Sequence, residues 1–376
     1  MSFKILFACG GTAGHINPAL AVAGLLRERH SDCQILFAGN PRGMESRLIP
    51  AAGYDFAPIE VLGFQRRLSL HNIANNIQAA RYLLTASAKA KRIIRDFAPD
   101  VCMGTGGYVS GPVVRMAAKM RIPTLTHEQN AFPGVTTKLL CKYVNKVLLA
   151  VPEAQNLLPR ADAVVTGNPI RGEVLTANRR QSREKLGVGD KICLLSFGGS
   201  LGAKRVNEAI ADVMAEHSAT GKLHHIHATG QYGVQTFPAL LKEKGVALAG
   251  NKNIDLRTYI DDMPDCLAAA DLIICRAGAI SISELQAVGR ASILIPSPNV
   301  AGNHQYHNAR LLADKNAALL IEEKHLASGA LTQAVGQLTS NPALLQILAQ
   351  NAGAMSLPNA TRRICEEIEQ LLEPVP

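Results

Sequence analysis

Four times along this chain a short apolar run ends in a glycine-containing loop that opens a helical pattern. Ile5-Leu6-Phe7-Ala8-Cys9 runs into Gly10-Gly11-Thr12-Ala13-Gly14-His15, and Val101-Cys102-Met103 into Gly104-Thr105-Gly106-Gly107-Tyr108. Cys193-Leu194-Leu195-Ser196-Phe197 runs into Gly198-Gly199-Ser200-Leu201-Gly202. Ile273-Ile274-Cys275 runs into Arg276-Ala277-Gly278-Ala279, followed by Ser281–Glu284. Apolar runs that alternate with helices predict a parallel, doubly wound sheet. Glycine turns tightly and lets a ligand approach the backbone closely. The helix start behind it offers unpaired N–H groups and a partial positive charge, which suit phosphate. In an open parallel sheet such loops lie at the carboxyl ends of the strands, where ligands bind. One loop of this kind can be turn geometry alone. Four, two on each side of the chain's midpoint, predict two sheets that each carry a phosphate-binding edge.

The rest of the chain repeats the alternation. Gln34–Ala38, Thr124–Thr126, Lys146–Val151 and Ala163–Thr166 read as strands, and Asn17–Arg29 and Pro112–Met120 as helices. Gly167-Asn168-Pro169-Ile170-Arg171 is a turn-rich break and a candidate linker. Beyond it Ile192–Phe197, Leu223–Ala228, Leu272–Cys275 and Ser292–Ile295 read as strands, Val206–Ala215 as a helix, and Ala360–Leu372 as a closing helix. A length of 376 residues suits two domains, at roughly 150 residues each.

Several chemistries lose ground on the residues alone. None of the loops matches G-x-G-x-x-G, and Val109 stands where the third glycine of Gly104-x-Gly106 is needed. The second strand ends at Gly39-Asn40 without the acid that holds a dinucleotide ribose, and no G-x-x-x-x-G-K-[ST] occurs. The eight cysteines show no CxxC spacing, which argues against a disulfide framework or a zinc site. No signal peptide is visible and no apolar stretch approaches 18 residues, so the expectation is a cytoplasmic protein without a membrane-spanning helix.

The net charge of +9 is unevenly spread: residues 62–150 hold thirteen Lys and Arg against three acids. A one-sided basic region meets something anionic: nucleic acid, phosphate groups or an acidic membrane. Only Phe64 and Tyr82 are aromatic among the Leu62–Arg95 cations, too few for base stacking, so no nucleic-acid partner is expected. Leu62–Arg95 instead combines seven cations and no acid with Leu68, Leu70, Ile73, Ile77, Leu83 and Leu84, which fits a surface lying on anionic lipid.

Taken as a set, the motifs resemble the MurG family. They are Gly10–His15, Gly104–Tyr108, His127-Glu128-Gln129-Asn130, Gly167–Arg171, Gly198-Gly199-Ser200-Leu201-Gly202-Ala203 and Ser281-Ile282-Ser283-Glu284, in the family's order and over nearly the full chain. The resemblance implies a GT-B glycosyltransferase, with two Rossmann-like doubly wound parallel-sheet domains facing a cleft. It implies inverting transfer of N-acetylglucosamine from UDP-N-acetylglucosamine to the C4 hydroxyl of the N-acetylmuramoyl-pentapeptide of lipid I, giving lipid II for peptidoglycan. It further implies a peripheral place on the cytoplasmic face of the membrane, partners among other cell-wall enzymes, and no tightly bound cofactor or metal. The expected domains are residues 1–166 for acceptor and membrane and 172–357 for the UDP-sugar. Residues 167–171 link them, and the closing helix, 358–376, packs back on the first. Another GT-B activity, such as a diacylglycerol glycosyltransferase or a UDP-sugar epimerase, and a non-catalytic nucleotide binder are the rival readings. Ala13, Leu201 and His304-Gln305 depart from the family's usual glycine, glutamine and glutamine pair.

Carried over residue by residue, the resemblance assigns donor contacts to Thr12, Ala13, Gly14, Asn130, Arg171, Gly199, Ser200, Ile260, Ala279, Ile280, Ser281, Ile282, Ser283, Glu284 and Gln305. Glu284 would accept from the ribose hydroxyls, or otherwise cap a helix start. Arg171 would meet the anionic donor, or otherwise form a linker salt bridge. The backbone at Ile260 would read uracil, or the residue is ordinary core. The acceptor diphosphate is assigned to Gly10, Gly11, Gly104, Gly106, Gly107 and Tyr108. His15 is the expected general base, since a histidine near neutral pKa suits removal of the acceptor's hydroxyl proton. Glu128 is the competing base, or orients the acceptor.

Overall fold

The computed structural model describes residues 2–61, 85–159, 163–218 and 221–373. The chain divides into two compact units, one of Met1–Ile170 with Leu357–Pro376 and the other of Arg171–Ser356.

The N-terminal unit is built on a seven-stranded sheet: β1 Lys4–Cys9, β2 Gln34–Gly39, β3 Asp55–Pro58, β4 Val101–Gly106, β5 Thr124–Glu128, β6 Lys146–Leu149 and β7 Val164–Val165. Their spatial order is β3-β2-β1-β4-β5-β6-β7, and every pairing is parallel. The C-terminal unit holds β8 Ile192–Phe197, β9 Leu223–Ala228, β10 Ile254–Arg257, β11 Leu272–Cys275, β12 Ala291–Leu294 and β13 Leu319–Leu320. Their order is β10-β9-β8-β11-β12-β13, again all parallel. Helices cover both faces of a doubly wound sheet, so its inner strands are buried along most of their length. Ile5, Leu6 and Phe7 of β1 accordingly have no solvent exposure.

This order places the glycine loops. In each sheet the direction of winding reverses once, between β1 and β4 and between β8 and β11. A crevice opens at such a reversal. The four loops are those that follow β1, β4, β8 and β11, so each unit carries one pair of them at its own reversal point.

One stretch differs from the expected pattern, and the closing helix follows it. Residues 167–170, expected as linker, belong to the N-terminal unit and the chain leaves it at Ile170/Arg171. They are held inside: the Gly167 carbonyl accepts from His127 Nε2 at 2.9 Å, and Asn168 Nδ2 donates to the Gln129 carbonyl at 3.1 Å. At the other end, helix Ala360–Leu372 buries Ile364, Cys365 and Ile368 among Phe3, Ile5, Val22 and Leu26 of the N-terminal unit. Its polar edge is fastened by Glu369, which accepts from Arg29 at 3.1 Å and lies 3.0 Å from His30 Nε2.

Candidate active site

In the N-terminal unit the two glycine loops touch. Gly107 has φ +81°, and a Cβ there would lie 2.2 Å from the Gly10 carbonyl oxygen. Gly106 has φ +110°, and a Cβ there would lie 2.5 Å from His15 Nδ1. Any larger residue at either position would push the loops apart. Ser110 adds a bridge, its hydroxyl accepting from the Gly106 N–H at 3.1 Å and donating to the Ala8 carbonyl at 2.6 Å.

Helix Ala13–Arg29 starts at Thr12, whose side chain makes no capping bond, and its first turn has no acid. Its leading N–H groups point out of the loop as an anion site. Gly11, Thr12 and Ala13 are exposed there, with Gly14 and His15 half-buried. Two of the expected diphosphate residues play another part. Gly10 and Gly104 are buried: a Cβ on Gly10 would lie 2.2 Å from Glu45 Oε1, and one on Gly104 2.8 Å from Val114 Cγ2. Glu45, which the sequence reading passed over, lies beneath the first loop with 1% exposure. It accepts from the Gly11 N–H at 3.2 Å and the Asn40 N–H at 3.0 Å. The Gly11 donor is thus already engaged, and the exposed donors begin at Thr12.

The motif after β5 is also rigid. Glu128 is buried, and both its oxygens hold the following turn. One accepts from the Asn130 backbone at 3.1 Å and side chain at 3.0 Å, the other from the Gly134 N–H at 2.9 Å and the Thr137 hydroxyl at 2.5 Å. These bonds make Glu128 the organiser of the turn that carries Asn130. Gln129 reaches His15, with Oε1 3.2 Å from Nδ1.

In the C-terminal unit a cleft of about 540 Å³ opens between the loops after β8 and β11. Gly199, Ser281 and Gln305 of the expected donor set line it. Ser200 is exposed beside it, and Ala279, Ile280 and Ser283 are half-buried along helix Ala279–Val288. Ile282 and Ile260 are buried, and the Ile282 N–H is taken by the Gly278 carbonyl at 3.0 Å. Glu284 is the sixth residue of its helix, past the first turn, so it is not a cap. Its buried carboxylate accepts from Arg171, with Nε at 3.0 Å and a second guanidinium nitrogen at 2.9 Å, both on Oε1. Burial raises its pKa and Arg171 draws it back down. Of the two expected readings of Arg171, the structure shows the salt bridge, and Glu284 is its partner.

Three cations that had no assigned role also line this cleft: Lys204, Arg205 and Arg276. Arg276 is braced by the Ile295 and Pro296 carbonyls and by Glu323. Lys204 and Arg205 open helix Lys204–Ser218. Cations at the positive end of a helix dipole are locally unfavourable. Both pair with Glu208 one turn on, at 3.9 and 3.1 Å. Among the described residues no group of three His, Cys, Asp or Glu could hold a metal.

Comparison with known proteins agrees with this layout. The glycosyltransferase family 28 N-terminal domain matches residues 5–149, and the family 28 C-terminal domain residues 193–364. A protein of Acetivibrio thermocellus is 43% identical over 372 residues, covering 98% of both chains. One from Bacillus cytotoxicus is 37% identical over 371 residues, covering 98% of this chain and all of the relative. Each is named a UDP-N-acetylglucosamine--N-acetylmuramyl-(pentapeptide) pyrophosphoryl-undecaprenol N-acetylglucosamine transferase. The crystal structure of Acinetobacter baumannii MurG superposes with a TM-score of 0.79 at 31% identity, covering 98% of this chain and 99% of its own. A UDP-GlcNAc 2-epimerase from Neisseria meningitidis reaches 0.63 at 14% identity, covering 98% and 100%, a likeness of fold alone.

Proposed function

This chain belongs to glycosyltransferase family 28, and on that premise we propose that it transfers N-acetylglucosamine from UDP-N-acetylglucosamine to the muramoyl C4 hydroxyl of lipid I, giving lipid II. The observation that carries the structural side is the pair of glycine loops at the sheet reversal of each unit, one pair beside His15 and the other beside Glu284. The GT-B fold is shared by epimerases and by transferases. What favours transfer is the full-length similarity at 37–43% identity to proteins named for it.

The roles follow from the chemistry of each group. Glu284, held by Arg171, accepts from the ribose hydroxyls of the nucleotide. The start of helix Ala279–Val288 and the cations Arg276, Lys204 and Arg205 face the diphosphate. The N–H groups at the start of helix Ala13–Arg29 meet the acceptor's diphosphate. The acceptor oxygen attacks the anomeric carbon and its proton passes to His15. The bond from that carbon to UDP breaks, and the electron pair leaves on the β-phosphate, where fixed positive groups stabilise it. No tightly bound cofactor enters this scheme. The deciding assay is UDP release from UDP-N-acetylglucosamine with and without lipid I. Release that ignores lipid I, or conversion of the free donor to its epimer, overturns the proposal.

Replacing Glu284 with alanine is expected to weaken UDP binding by about 1–3 kcal/mol, since a desolvated hydrogen-bond partner is lost. Titration calorimetry reads this directly. An unchanged Kd removes Glu284 from the nucleotide site.

The same reading places the protein peripherally on the cytoplasmic face of an anionic membrane. No helix among the described residues is long and apolar enough to cross one. Residues 62–84 of the expected membrane surface, with Arg66, Arg67 and Arg81, lie outside the described residues. Within them, Val135, Leu139 and Tyr143 are exposed along a stretch that also carries Lys138 and Lys142. Arg115 lies over the Tyr143 ring at 5.1 Å. Each cation near an anionic surface contributes about 1 kcal/mol. Charge reversal at Lys138 and Lys142 is expected to cut binding to phosphatidylglycerol vesicles about tenfold or more. Wild-type binding by the double variant, in a co-sedimentation assay, excludes this surface.

A further inference from the structure

We propose that Gln129 is a positioning residue that fixes which nitrogen of His15 carries the proton, so that Nε2 is the nitrogen able to accept one. A chain of hydrogen bonds in the N-terminal unit leads to His15 from a group with only one possible role. The Gly167 carbonyl can only accept, and His127 Nε2 lies 2.9 Å from it. His127 therefore carries its proton on Nε2. A neutral imidazole protonated there keeps its lone pair on Nδ1. His127 is neutral because it is fully enclosed, with its pKa lowered to about 4 by burial.

The next link is Gln129, itself 4% exposed. Its Nε2 lies 2.7 Å from the Thr105 carbonyl, 3.0 Å from His127 Nδ1 and 3.2 Å from the His127 carbonyl. All three neighbours are acceptors, so the amide nitrogen must be on this side. The flipped amide would set Oε1 against three acceptors in a buried place, at a cost of several unmade bonds. With the amide so oriented, Oε1 faces His15 Nδ1 at 3.2 Å and can only accept. Nδ1 of His15 therefore carries the proton and Nε2 holds the lone pair. The Thr105 hydroxyl donates to the His15 carbonyl at 2.7 Å, so the residue whose main chain anchors Gln129 also anchors the backbone of His15. The hydrogen bond at one ring nitrogen sets the tautomer at the other.

This inference rests on the proposed base role of His15 for its use, but its central claim can be read without activity. The test is a long-range proton–nitrogen correlation spectrum of 15N-histidine-labelled protein above neutral pH, with His15 assigned by its loss in His15→Gln. The expected result is a protonated Nδ1 and an unprotonated Nε2 on His15. Protonation on Nε2, or an averaged signal, overturns the proposal whether or not a Gln129 variant folds. In Gln129→Met the Nε2-protonated form is expected to grow. There kcat should fall about 10- to 100-fold while both KM values stay within about threefold. An unchanged tautomer or an unchanged kcat in that variant likewise refutes it. Wild-type protein that transfers no sugar sinks the proposed function and leaves the tautomer result standing.

Discussion

His15→Ala is expected to lower turnover by about 10²–10⁴-fold, the usual contribution of a general base, with the Kd for UDP unchanged. The two effects separate because His15 lies in the N-terminal unit and the groups proposed to hold the nucleotide, Arg171, Glu284 and Arg276, in the other. Glu128→Ala should behave differently. Its carboxylate holds the Asn130 and Gly134 N–H groups and the Thr137 hydroxyl in place, and removal strands all of them. The Thr137 hydroxyl is buried, and a buried donor left without a partner costs roughly 1–3 kcal/mol, so loss of activity should come with a lower Tm. Kinetics and thermal melts on the two variants decide between them. Full turnover in His15→Ala, with a folded but inactive Glu128→Ala, exchanges the two roles.

The second large effect is acid lability of the C-terminal unit. Strand β9 carries His224, His225 and His227, all buried. Burial lowers the pKa of His225 and of His227 from 6.5 to about 3. The unfolded chain takes up protons near 6.5 and the folded one does not until about 3. Stability is therefore full above about pH 6.5 and is lost progressively as pH falls toward 3. One pH unit costs about 1.4 kcal/mol for each such group. At pH 5 the pair costs about 4 kcal/mol, against the roughly 5–15 kcal/mol that holds a domain together. Urea unfolding at pH 8 and pH 5 measures the loss. Carboxylates in ion pairs also weaken in acid, so the discriminating control is His225→Leu, whose stability should depend less on pH across this window. If its slope equals the wild-type slope, the histidine is not the cause.

Much of the architecture was legible because buried parallel strands read as mostly apolar runs, and β1, β8 and β11 do so. The edge strands did not announce themselves: β3 Asp55–Pro58 and β10 Ile254–Arg257 are four residues each and mix charge with apolar character. The resemblance drawn from the loops is borne out by both family domains and by full-length relatives. Roles that depend on a distant partner were not legible. Glu45 and Gly11 are 34 positions apart, and His15 and Gln129 are 114 apart. Nothing local distinguishes a carboxylate that braces a loop from one that faces a substrate. Gly10 and Gly104 illustrate the reverse error, since glycine serves close packing as readily as ligand approach. Lys204 and Arg205 were available to the eye, as cations where a helix favours acids.

The closing helix Ala360–Leu372 has a consequence for manufacture. It completes a hydrophobic core whose other walls, Phe3, Ile5, Val22 and Leu26, are among the earliest residues made. During synthesis those walls precede it, and they wait while the rest of their own unit and the whole of the other are translated. At about 5–20 residues per second the delay is roughly 15–70 s. The usual order, in which the first domain finishes before the second begins, is thus inverted: the unit begun first is finished last. A nascent chain in this interval presents an open apolar seam and is a natural client for a holding chaperone. For the same reason a premature stop shortly before Ala360 does its damage at the far end of the polypeptide, unsealing the half of the molecule that was read first.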